Sequence, residues 1–147
     1  MKSKNLLVAL TYLGFGLTTV FGQDSNAEAQ KVVGKINTET PLEKGCTQQE
    51  LSLDECVFMY SVECGGKAFV FSFNASDLKR VYKDKADFED TFETLFFECE
   101  EGKNCVTCDS KDIPPLPVLP LKLPEGKASN LGEEAVKTFN SLIEECK

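Results

Sequence analysis

The segment CVFMYSVEC (residues 56–64), the pair Gly65-Gly66 and the segment KAFVFSFN (residues 67–74) together decide the fold. Both segments alternate between apolar and polar residues, which is typical of strands. Two glycines between such strands favour a two-residue hairpin turn, because both turn positions need a positive φ. The turn sets a register that places three cross-strand pairs on one face: Val62 with Phe69, Tyr60 with Phe71, and Phe58 with Phe73. We predict a β-hairpin over about residues 56–73.

The segment before the hairpin has two interpretations. Thr47 and Glu50 have the spacing of a capping box, which favours a helix. The helix could be short, from Thr47 to about Asp54, and lead into the hairpin. Alternatively, the helix could continue to Cys64 and replace the first strand, because one helical stripe contains Leu53, Val57, Tyr60 and Cys64. We prefer the short helix, and the sequence leaves the choice open.

Two further helices are predicted after the hairpin. A long amphipathic helix over about residues 76–99 would end by Gly102, and it would bury a stripe within an arc of about 140°: Leu78, Val81, Tyr82, Phe88, Phe92, Leu95, Phe96 and Cys99. A C-terminal helix over about residues 130–146 would begin at Asn130, with Glu133 completing a capping box. The predicted fold is therefore a small α+β domain with a hairpin packed by two helices.

The remaining segments suggest how the chain is organised. Residues 1–22 have the basic start, apolar middle and small residues near a cut that are typical of a signal peptide. Their apolar part, residues 6–21, is shorter than the roughly 20 residues that span a bilayer, so no membrane insertion is expected after cleavage. We expect residues 23–147 to form a single secreted domain. Within it, residues 23–44 would be an extended arm, and the proline-rich residues 113–124 an extended strap across the core.

The chain contains seven cysteines and no histidine. In a secreted chain such cysteines are expected to form disulfides, and all are candidates: Cys46, Cys56, Cys64, Cys99, Cys105, Cys108 and Cys146. Their positions predict one bridge between the long helix and the hairpin, at Cys99, and a bridge from Cys146 that joins the last helix to the core. The odd number leaves one cysteine over, either as a buried free thiol or as the link of a disulfide-linked homodimer.

Several kinds of chemistry are disfavoured. Without histidine, no Ser-His-Asp or Cys-His arrangement exists, and the lone Cys105-x-x-Cys108 lacks the other ligands of a zinc site and the surroundings of a redox pair. We expect both cysteines to be structural half-cystines, with different partners. We expect no catalytic, cofactor or metal site and no enzyme. The net charge of −8 disfavours nucleic acid as a partner. Asn74-Ala75-Ser76 is a candidate glycosylation site.

This architecture, a signal peptide followed by an acidic cysteine-rich domain without histidine, resembles secreted proteins of arthropod venoms and saliva. The resemblance implies a non-enzymatic, toxin-like effector that binds an extracellular protein or an ion channel. A second hypothesis is an extracellular carrier of small apolar ligands, based on the aromatic faces of the hairpin and the long helix. A third is a protease inhibitor that presents residues 100–112 as an exposed loop.

Overall fold

The structure is a computed structural model, and it describes residues 25–85, 93–124 and 130–147. It contains two helices, α1 over residues 25–39 and α2 over Leu131–Cys146, and a 3-10 turn over Ala75–Asp77. The strands are β1 Cys46–Asp54, β2 Val57–Cys64, β3 Lys67–Asn74, β4 Leu78–Lys85, β5 Glu93–Cys99, β6 Thr107–Cys108 and β7 Val118–Lys122. The α+β class is confirmed.

The strands form two antiparallel sheets. Sheet A has the order β1-β2-β3-β6, and sheet B has the order β4-β5-β7. The predicted hairpin is β2 and β3, and its register is confirmed, with Phe58 opposite Phe73 and Val62 opposite Phe69. The turn glycines both have positive φ, 60° at Gly65 and 77° at Gly66. Local turn chemistry therefore sets the alignment of sheet A.

The centre of the core is a cluster of four phenylalanines. Phe58 and Phe73 come from sheet A, Phe97 from β5 and Phe139 from α2. All four are buried, and in five of their six pairs the ring centroids lie 5.1–5.7 Å apart. Such edge and stacked contacts contribute about 0.5–1.5 kcal/mol per pair beyond the burial itself. The cluster joins both sheets and α2 in one core.

The two helices run side by side in opposite directions. Near the start of α1, Ser25 donates a hydrogen bond to Glu145 at the end of α2. Ten residues further along α1, Lys35 forms an ion pair of 2.7 Å with Glu134 in the first turn of α2. Residues of α1 at helical spacing are buried beneath this surface: Ala29, Val32, Val33 and Ile36.

Each helix is also fastened to the edge of a sheet by an asparagine. Asn37 of α1 donates through Nδ2 to the Leu51 carbonyl at 2.7 Å and accepts from the Leu51 N–H at 2.8 Å. Asn140 of α2 bonds the carbonyl and N–H of Val81 in the same way, at 2.8 and 2.9 Å. Strands β1 and β4 are edge strands, and covering an edge in this way protects it from pairing with another chain.

Three predicted elements differ from the structure. The long helix over 76–99 is wrong, because its described residues form β4 and β5; residues 86–92 lie outside the described residues. The helix from Thr47 to Asp54 is wrong, because these residues belong to β1, where alternate residues Leu51 and Leu53 are buried. The extended arm over 23–44 is wrong, because residues 25–39 form α1.

Other segments are closer to expectation. The predicted C-terminal helix is α2, although Asn130 makes no side-chain capping bond. The proline-rich segment is extended, and part of it forms β7, where Leu119 and Leu121 are buried and Pro120 is exposed. Strand β7 is an edge strand, where a missing N–H is tolerated. The predicted signal peptide, residues 1–22, lies outside the described residues. Within the described ranges, no helix is long and apolar enough to cross a membrane.

Candidate functional site

Six of the seven cysteines form disulfides, and these hold the scaffold around the candidate site. Cys46–Cys64 joins the start of β1 to the end of β2. Cys56–Cys146 joins the start of the hairpin to the end of α2, so Cys146 ties the last helix to the core as expected. The predicted bridge from Cys99 to the hairpin is wrong, because Cys99 is bonded to Cys105, six residues away.

Cys108 is the free cysteine. It lies in β6 opposite Phe71, is half-buried, and its Sγ is 3.6 Å from Asp109 Oδ1. The expectation that Cys105 and Cys108 are both half-cystines is therefore wrong for Cys108. Across the described residues, no group of three or more His, Cys, Asp or Glu side chains is placed to hold a metal ion.

The glycosylation candidate lies at the junction between β3 and the 3-10 turn. Asn74 is half-buried, and its Oδ1 accepts hydrogen bonds from the N–H and the hydroxyl of Ser76, at 3.0 and 2.9 Å. Ala75 between them is fully buried. Folding thus closes the sequon into a tight turn.

The described residues form a groove of about 670 Å³. One wall is the segment of residues 39–44, which begins at the last residue of α1, and the other consists of Gln49 of β1 and residues 122–124 at the end of β7. Its volume falls within the range of small-molecule sites, about 300–1,000 Å³. The groove is therefore large enough to hold a small organic ligand.

A second, smaller cavity of about 10 Å³ adjoins the groove on the core side. Both cavities are lined by Thr40, Gln49 and Lys122, and the smaller one also reaches Tyr60 of β2 and Leu121 of β7. The groove thus has an open end and a narrow inner end between the two sheets.

Thr40 and Gln49, which line both cavities, each have a buried side-chain oxygen without a hydrogen-bond partner, Thr40 Oγ1 and Gln49 Oε1. A buried polar group left unpaired costs about 1–3 kcal/mol. Native proteins leave few such groups, and those that exist call for a specific explanation. Two of them belong to residues that line the same pair of cavities.

Tyr60 lines the smaller cavity together with Thr40 and Gln49. Burial, which disfavours the phenolate, raises the pKa of Tyr60 above its ordinary value. A hydrogen bond from the Gln49 side chain lowers this pKa, and the Glu43 carboxylate raises it. The inner end therefore holds a neutral phenol at ordinary pH, bonded to one end of the Gln49 carboxamide.

The open end combines an apolar residue with an ion pair. Leu42 is 53 % exposed, the largest value among the exposed large apolar residues of the described chain. Glu43 and Lys122 form an ion pair of 3.1 Å that connects the segment after α1 to β7. Exposed pairs of this kind contribute about 0–1 kcal/mol, so the pair orients the groove wall more than it stabilises it.

Sequence reasoning missed this groove, although one signal was present. Gln49 occupies the inward-facing position two residues before Leu51, where a strand facing a core normally carries an apolar residue. By contrast, the aromatic hairpin face that suggested an apolar ligand site is packed core, since Phe58 and Phe73 stack at 5.2 Å. The ligand hypothesis now depends on the groove.

The loop that suggested a protease inhibitor is compact at its start. The Lys103 N–H donates to the Glu100 carbonyl at 3.0 Å, and Gly102 has a φ of 77°. The disulfide Cys99–Cys105 closes this turn. Residues 100–103 are thus tightly turned rather than extended.

No family model, no curated protein and no solved structure matches this chain.

Proposed function

We propose that this chain is a secreted, non-enzymatic protein that carries a small amphipathic ligand in the groove between α1, β1 and β7. The single observation that carries the proposal is that Thr40 and Gln49, which line a groove of ligand size, have buried side-chain oxygens without a hydrogen-bond partner. The groove is lined by both polar and apolar residues, the apolar ones being Pro41, Leu42, Leu123 and Pro124, and this mixture suits an amphipathic ligand.

Three intramolecular disulfides support the extracellular part of this proposal, because such bonds persist mainly in oxidising compartments. Expression in cultured eukaryotic cells tests it. The protein should accumulate in the medium with Gln23 as its N-terminus, as expected after cleavage of residues 1–22. Retention of the uncleaved chain inside the cells would contradict secretion.

Ligand binding can be tested with the neutral fluorophore N-phenylnaphthylamine and the oxidised protein. We expect saturable binding with one molecule per chain. Leu42→Asp replaces an exposed apolar side chain of the groove wall by a charge and should weaken binding at least about tenfold. The matched control is Met59→Asp, because Met59 is 41 % exposed and lies on the outer face of sheet A. Equal effects of the two variants, or no saturable binding, would refute the carrier function.

A second candidate function is a toxin-like effector with an extracellular protein or an ion channel as its target. The observation that favours it is the outer face of sheet A, where Val57 and Met59 are 40 % and 41 % exposed. Their neighbours include a row of hydroxyl side chains that carries no charge, at Ser52, Ser72 and Thr107. Asp54 lies opposite Val57 at one end of this patch, so the patch is an exposed apolar pair with an acidic border, which is a candidate docking surface.

The effector candidate is tested by applying the labelled oxidised protein to a panel of cells and channels. The double variant Val57→Asp, Met59→Asp should abolish binding, whereas Leu42→Asp should leave it intact. Inertness at micromolar concentration across the panel would count heavily against an effector. Leu42→Asp and the variants at Val57 and Met59 therefore distinguish the carrier function from the effector function.

A further inference from the structure

The inner end of the groove restricts the chemistry of the ligand's polar group. The small cavity is about 10 Å³, close to the minimum that holds one water-sized group. It therefore admits a single small polar group, and the rest of the ligand must lie in the larger groove. This reasoning rests on the proposed carrier function and specifies its ligand.

The unpaired atoms at this end favour a group that both donates and accepts. Gln49 Oε1 can only accept a hydrogen bond, while the Thr40 hydroxyl can donate or accept. A hydroxyl group on the ligand can donate to Gln49 and accept from Thr40 at once. A carboxylate has no proton to donate, so it would leave Gln49 Oε1 unpaired.

Charge at the inner end disfavours an ammonium group. The small cavity is lined by no acidic residue, and its one charged residue is the cation Lys122. Lys122 is already paired with Glu43 at 3.1 Å, so it does not offer a free partner for an anion either. A neutral polar group therefore fits this end better than a charged one.

We propose that the groove binds a neutral amphipathic alcohol. Its hydroxyl occupies the small cavity between Thr40 Oγ1 and Gln49 Oε1, and its hydrocarbon part lies along the larger groove towards Leu42. The alcohol thereby supplies the hydrogen bonds that the folded chain leaves unmade at this site.

Displacement of N-phenylnaphthylamine from the full oxidised chain tests this proposal, with dodecanol, dodecanoate and dodecylamine as competitors. We expect dodecanol to displace the fluorophore at a concentration about tenfold lower than either charged analogue, as the gain of one or two hydrogen bonds predicts. Thr40→Val should abolish this preference, so that dodecanol and the two charged analogues compete equally once each is corrected for the affinity of the fluorophore for the variant. Thr38→Val is the matched control, because the Thr38 hydroxyl bonds the Gly34 carbonyl on α1 outside the groove.

Gln49→Met gives a second measurement at the same site and should also remove the preference for dodecanol. If Gln49→Met fails to fold, Thr40→Val and its control decide alone. Equal or better competition by dodecanoate or dodecylamine, or a preference that survives in Thr40→Val, would overturn the alcohol assignment and leave the carrier function standing. If the fluorophore does not bind at all, the carrier function fails, and the alcohol assignment fails with it.

Discussion

Asn140 bonds both the N–H and the carbonyl of Val81, so the side-chain amide of α2 pairs with β4 as a neighbouring strand would. The same Asn140 amide also donates to the Val136 carbonyl within its own helix, at 2.7 Å. Helix, sheet edge and side chain therefore form one hydrogen-bonded unit. Asn37 and Leu51 repeat the arrangement on the other sheet.

Asn140→Leu should destabilise the fold, because it leaves the half-buried backbone groups of Val81 without a partner. The expected loss is about 1–3 kcal/mol in the free energy of unfolding, measured by urea denaturation of the oxidised protein. Ser141→Ala is the control at the next, exposed position of α2. A loss no larger than that of Ser141→Ala would show that the two bonds contribute little.

The three disulfides should contribute unequally. Cys56–Cys146 closes a separation of 90 residues, and Cys99–Cys105 closes one of six. In the loop-entropy description their removal costs about 4.6 and about 2.2 kcal/mol respectively. The double variant Cys56→Ser, Cys146→Ser should therefore lower the free energy of unfolding more than Cys99→Ser, Cys105→Ser does. The reverse order in urea denaturation would contradict this ranking.

Tyr60 should make stability depend on alkaline pH. Burial raises its pKa above the ordinary value of about 10, so the unfolded chain releases the phenolic proton at a lower pH than the folded chain. The contribution of the protonated Tyr60 hydroxyl to the free energy of unfolding is therefore complete below a pH of about 10. It is lost as the pH rises through the raised pKa. Tyr60→Phe should flatten the fall in unfolding free energy above that pH. Parallel profiles for the two proteins would contradict a buried Tyr60 hydroxyl.

Cys108 should determine whether the protein forms a covalent dimer. Because it is half-buried in β6, we expect a monomer-sized band on both reducing and non-reducing gels. Alkylation of its thiol should be faster in denaturant than in the native state. A dimer band on the non-reducing gel that disappears in Cys108→Ser would instead support a disulfide-linked homodimer.

Asn74 should carry a glycan when the chain passes through a eukaryotic secretory pathway. The modification must precede closure of the turn, since Asn74 and Ser76 bond each other in the folded protein. Mass spectrometry of the secreted protein should show a glycan that is absent in Asn74→Gln. Ser76→Ala is a second variant that removes the sequon. An unmodified wild-type Asn74 would mean that folding outpaces modification.

The hairpin could be predicted because its signals are local. Alternation and the Gly65-Gly66 turn together define both strands and their register. The predicted long helix was wrong because residues with helical spacing belong to both faces of a sheet. Val81 is buried on one face, while Tyr82 stacks on Phe96 at 5.1 Å on the other face. Phe97, which the helical stripe omitted, is fully buried. The alternation of Leu95, Phe97 and Cys99 was the correct signal for β5.

Helix α1 and the groove were not predicted from the sequence, for two different reasons. The helical spacing of Ala29, Val32, Val33 and Ile36 was visible in the sequence and indicated a buried helix face. The groove has no linear motif, because residues 39–44, Gln49 and residues 122–124 meet only through the tertiary fold. Disulfide partners are likewise brought together only by the tertiary fold. The spacing of the cysteines therefore could not identify Cys56 as the partner of Cys146.

Because every cysteine lies at or after Cys46, α1 is the one described helix that no covalent cross-link holds to the rest of the chain. Hydrogen bonds, ion pairs and apolar contacts alone retain it, so it can leave the sheets while all three disulfides stay closed. The order of local unfolding is therefore built into the cysteine positions: amide hydrogens of α1 should exchange before those of α2. The groove wall that follows α1 would loosen in that first step, giving a bound molecule a route of release that needs no reduction.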